Sequence, residues 1–131
     1  SAGLGEVFVF GSNSSANITA TSYPSGAGYD KLHPGTSVWI VDPASLSGTY
    51  VLEAVGVQTT SGTFTAALVN LTDGAPDTPL VESAITSLTG QTVQSAAIVF
   101  PAGGSNKSFG VKTKVSANDG YLIGARIVRT A

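Results

Sequence analysis

Between Thr49 and Gly74 the chain reads TYVLEAVGVQ, TTSG, TFTAALVNL and TDG. Two β-rich runs are joined by four small polar residues, and the second closes on Asp-Gly. Runs rich in β-branched and aromatic residues, separated by a short Ser/Thr/Gly connection, form antiparallel hairpins. In an extended strand, alternate side chains share a face. Tyr50, Leu52 and Ala54 therefore face one way, and Val51, Glu53 and Val55 the other. In the second run Phe64, Ala66 and Leu68 oppose Thr65, Ala67 and Val69. Neither run alternates cleanly between apolar and polar, so both faces are expected to meet protein over part of their length. Such a hairpin belongs in the middle of a β-sandwich.

The rest of the chain extends the pattern. GEVFVFG reads as a first strand with Glu6, Phe8 and Phe10 on one face, followed by ITATSY and by SVWIV, which Asp42-Pro43 closes. LVESAI reads as an edge strand after a segment with two prolines, where an interior strand is excluded. Strands are predicted over residues 49–58, 64–70, 92–100, 109–115 and 122–128. Phe109, Val111 and Val115 face the core opposite Lys112 and Lys114, and Tyr121, Ile123, Ala125 and Ile127 share a face. Leu52, Leu68, Ile98, Val111 and Ile123 are the expected core. Eight or nine short strands with turn signals every ~8–12 residues indicate a sandwich or barrel. No 3.6-residue amphipathic period marks a helix. The 131 residues are expected to form one all-β domain, 1–131, held by two antiparallel sheets.

Only 11% of residues are charged, against the ~25% common in soluble domains, although 42% are hydrophobic. A surface so poor in charge has little guard against association. With six basic and eight acidic residues and no basic run, nucleic acid is not an expected partner. The chain has no Cys, which excludes thiol catalysis and thiolate metal sites. No apolar run reaches the ~18 residues of a membrane span, so no membrane role is expected. Ser1-Ala2 fits a cytoplasmically made protein whose initiator Met was trimmed, and a chain shortened at its start for other reasons would look the same.

Two stretches carry a resemblance. Tyr50, Leu52, Glu53 and Ala54 precede Leu68, Asn70, Leu71, Thr72, Asp73 and Gly74. Later, Phe100, Pro101, Ala102 and Gly103 lead through Phe109 to Gly124, Ala125, Arg126, Ile127 and Val128. This arrangement resembles jelly-roll-like domains of bacteriophage virions and related bacterial proteins, over roughly the C-terminal two-thirds of the chain. The resemblance implies a jelly-roll-like two-sheet sandwich that decorates a capsid or sits on a tail appendage. It also implies a homo-oligomer, most plausibly a trimer, bound to the major capsid protein or another virion protein at the particle surface.

Catalytic chemistry finds little support. The single histidine, His33, lies beside Pro34 in a segment, 24–36, with no clear period. No G-x-S-x-G elbow accompanies it, and a Ser-His-Asp reading would draw on Asp30 or Asp42. Glu53 is expected to pair with Arg126 or Lys112 across the sheet rather than to act as a glycosidase carboxylate. Asp73-Gly74 and Asp119-Gly120 read as turns, with Asn70 capping the first. No cofactor or metal is expected. The competing reading is a carbohydrate- or receptor-binding module that uses the aromatics in and beside the long loop. Candidate partner or ligand contacts under either reading are Tyr23, Tyr29, Asp30, Leu32, His33 and Trp39.

Overall fold

A computed structural model of the chain describes residues 4–12, 18–19, 31–74 and 78–131. Among these residues nine strands run in chain order: β1 (Gly5–Val9), β2 (Ile18–Thr19), β3 (Trp39–Val41), β4 (Tyr50–Gln58), β5 (Phe64–Asn70), β6 (Pro79–Ile85), β7 (Gln91–Gln94), β8 (Lys107–Val115) and β9 (Asp119–Arg129). A single 3-10 turn, Pro43–Ser45, is the one helical element among the described residues. Asp42 caps it, accepting the Ala44 N–H at 2.9 Å.

The strands form two antiparallel sheets, confirming the expected sandwich. The first has the order β1-β9-β4-β7, with β2 also paired to β9, and the second β3-β8-β5-β6. The pairing is nested. The opening strand lies against β9, β3 against β8, β4 against β7 and β5 against β6. The β4–β9 and β5–β8 ladders then hold each sheet together.

Tyr50, Leu52 and Ala54 face Phe64, Ala66 and Leu68 between the sheets, as their alternation predicts. Leu52, Ala54, Phe64, Ala66 and Leu68 are fully enclosed, and Val111, Val115 and Ile127 complete the same layer. At one end Trp39 packs among Phe8, Phe100 and Phe109, with ring centroids 5.8–5.9 Å apart. β5 is buried on both faces from Phe64 to Val69, which explains its unbroken apolar run. Part of the cover over the outer face of its sheet comes from Leu32 and Leu71, which close over Gly110.

Four sequence expectations are corrected. Ile123 is exposed (52%) rather than core, because the β4–β9 register steps from Val55↔Gly124 to Gly56↔Leu122 and skips it. That β-bulge reverses the alternation, so Leu122 points inward before it and Ala125 and Ile127 after it. A second bulge at Val7 separates Glu6 from Phe8 and Phe10, which were expected to share its face. Phe10 is buried and Phe8 packs against the core, whereas Glu6 turns outward to Arg126. The strand expected over 92–100 ends at Gln94 because the Ser95 hydroxyl accepts the Leu52 N–H at 2.9 Å in place of a backbone carbonyl. Residues 95–98 still follow β4, through Ser95 N–H to Leu52 O and Ile98 N–H to Tyr50 O. Finally, part of the aperiodic 24–36 segment has a sheet partner. Leu32 bridges Lys112, and the His33 N–H donates to Val111 O at 2.9 Å.

Candidate functional site

Tyr23, Tyr29 and Asp30 lie outside the described residues. The other three candidate contacts separate by depth. Leu32 is 37% exposed, while Trp39 (6%) and His33 (1%) are enclosed. Trp39 is a core indole and presents no face to a sugar. His33 is likewise no surface contact. Leu32 alternates outward over Gly110, so its neighbour His33 turns inward onto the edge of Phe64, with centroids 6.5 Å apart.

The environment of His33 explains its chemistry. Its Nδ1 lies 2.9 Å from Thr113 Oγ1, a hydroxyl that β8 places on the inward face among aliphatic residues. Its Nε2 has no hydrogen-bond partner among the described residues. Burial lowers its pKa to about 4, so the ring is neutral at pH 7. Among the described residues no carboxylate orients this imidazole, which a threonine holds and the core encloses. Asp42, one expected partner, instead accepts the Gly104 and Ala44 N–H groups on Oδ1, and these bonds lower its pKa.

The outer face of the five-stranded sheet carries a different arrangement. Glu53 on β4 and Arg126 on β9 are register partners. Arg126 Nε and Nη2 both meet Glu53 Oε1, at 2.9 and 2.8 Å, and Nη1 reaches Glu6 Oε1 at 3.1 Å. Gln94 donates to the second oxygen of Glu53 at 2.9 Å. The bonds from Gln94 and Arg126 hold Glu53 below the usual carboxylate range, and Glu6 and Glu53 raise Arg126. The cross-sheet pairing read from the sequence is therefore present. A carboxylate tied on both oxygens is unsuited to general acid–base work.

Beside this cluster lies a dimple of about 130 Å3 lined by Val9, Glu53, Val55, Gly124, Ala125 and Arg126. Gly124 leaves it open, since a Cβ there would meet nothing within 4 Å. The volume is well short of the ~300–1,000 Å3 of small-molecule sites. It approaches the ~150 Å3 of a cavity that holds one benzene, so it suits a single apolar side chain. Val9 and Ile123 stand exposed nearby, at 50% and 52%. Strict alternation along β9 hides Ile123 in the core, so this surface is not legible in the sequence.

Other polar residues hold a turn. Asn70 caps the turn as expected, accepting the Thr72 N–H at 2.9 Å and donating to Asp73, which Lys107 also binds at 2.6 Å. Among the described residues, no group of three His, Cys, Asp or Glu side chains is placed to hold a metal ion. No described helix is long and apolar enough to cross a membrane. No protein-family model matches the chain, and no curated protein matches it.

Proposed function

We propose that this chain is a non-enzymatic structural subunit of a virion, a capsid decoration or appendage protein that self-associates and binds a larger protein lattice. The observation that carries the reading is the outer face of the five-stranded sheet. There, exposed aliphatic side chains surround a dimple sized for a protein side chain, and the adjacent charges are paired with one another. Fold alone does not decide function, whereas surface chemistry bears on it directly. The nested strand order supports the structural setting. Pairing β1 with β9 and working inward to β5–β6 is consistent with the wrap of a jelly roll, an architecture found in capsid and lectin domains. The motif resemblance at Tyr50–Ala54 and Gly124–Val128 points to the same class of particle.

Purified particles from the source culture test the proposal directly. Mass spectrometry is expected to find the chain in fixed stoichiometry with the major shell protein, and cryo-electron microscopy to find the sandwich on the particle. Absence of the chain from washed particles would overturn the reading. A glycan array, with Tyr29→Ala as the control variant, tests the competing carbohydrate reading through the loop tyrosines Tyr23 and Tyr29 and is expected to stay blank.

A further inference from the structure

We infer that the outer face of the five-stranded sheet is a two-fold contact with a second copy of this chain, in which Ile123 of each copy enters the Gly124 dimple of the other. The inference rests on the self-associating part of the proposed function and assigns the surface responsible.

β9 lies between β1 and β4, so a side chain at its middle reaches solvent only across the outer face of the sheet. The bulge places Ile123 there as a protruding aliphatic residue. The next residue, Gly124, is the open floor of a dimple whose walls are Val9 and Val55. Knob and hole are thus neighbours on one strand. A two-fold axis lying between two facing sheets, and passing midway between knob and hole, sets each knob over the other copy's hole. Such self-complementarity is what an isologous contact requires.

Arg126 is already engaged by Glu53 and Glu6, and Gln94 completes Glu53. A copy docking over this cluster leaves the Glu53–Arg126 pair intact and so avoids stripping either of its partner, the condition under which buried ions are strongly unfavourable.

The strands of this face are 5, 11, 9 and 4 residues long, and at ~3.3 Å per residue and ~4.8 Å between strands they cover about 460 Å2. Two such faces cover about 900 Å2, in the range of weak, transient contacts. The contact is therefore a weak, reversible dimer.

Analytical ultracentrifugation of the full chain over a wide concentration range tests this, with Ile123→Asp and Gly124→Leu as variants. Wild type is expected to dimerise reversibly. Each variant should weaken the dimer at least ~30-fold, the loss typical of a central interface residue. Unchanged circular dichroism and denaturation midpoint would show that the variants fold. If Gly124→Leu does not fold, Ile123→Asp and Val9→Ser carry the test. A wild-type monomer at the highest concentration overturns the inference, and binding of that monomer to particles would leave the structural-subunit reading standing. A trimer, or a dimer indifferent to every folded variant, shows self-association through another surface and also overturns it.

Discussion

At the scale of single residues, His33 and two glycines determine most of what can be tested. His33 has a pKa near 4 when folded and ~6.5 when unfolded, so the unfolded chain binds more protons between those values. Its contribution is fully present above pH ~6.5 and is lost as pH falls toward 4. At ~1.4 kcal/mol per pH unit, about 3 kcal/mol is at stake. Urea titrations of wild type at pH 7 and pH 4.5 should show most of that loss, while His33→Gln should show little slope across the window. Further loss below pH ~4 belongs to Glu53, Asp42 and Asp73, whose folded pKa values are depressed and whose bonds fail on protonation. The glycines separate close approach from open space. A Cβ on Gly120 would overlap the Phe64 ring, whereas one on Gly124 meets nothing. Gly120→Ala should cost ~1–3 kcal/mol as overpacking. Gly124→Ala, measured at dilution, should stay within ~0.5 kcal/mol, the range of ordinary surface changes.

At the scale of strands, the bulge in β9 is what sequence alternation does not reveal. Leu52→Ala or Leu68→Ala should lose ~2–5 kcal/mol, the transfer and cavity cost of a buried leucine. Ile123→Ala at dilution should change stability by less than ~0.5 kcal/mol, although its pattern in YLIGARI resembles theirs. Denaturant midpoints for the three variants check the contrast. The hairpin of β4 and β5 was legible because each strand keeps one parity and its turn is marked by small polar residues. β5 matched its predicted bounds, Phe64–Asn70. β7 was overextended because the Ser95 hydroxyl that replaces a ladder bond looks like any other serine in the sequence. His33 was misplaced for a related reason. Pro34-Gly35 announces a turn, and the turn is there, but nothing local shows that the two residues before it rejoin β8. The dimple was illegible because three strands contribute to it and a bulge supplies its rim.

At the scale of the molecule, the nested pairing governs how the fold can be reached. β1 ends at Val9, and the strand it needs ends at Arg129, about 120 residues later. β4 waits for the same partner along its whole length. Topologies dominated by such distant pairings fold in roughly milliseconds to seconds, so refolding by stopped flow is expected to be slow for a chain of this size. On a ribosome adding roughly 5–20 residues per second, β1 spends about 6–24 s without its neighbour. A chain truncated after Asn118 should therefore aggregate, detected by light scattering, where full-length protein stays clear. Of the described strands β9 is made after all the others and it closes the sheet, so the delay between β1 and β9 bears on folding before any assembly surface exists.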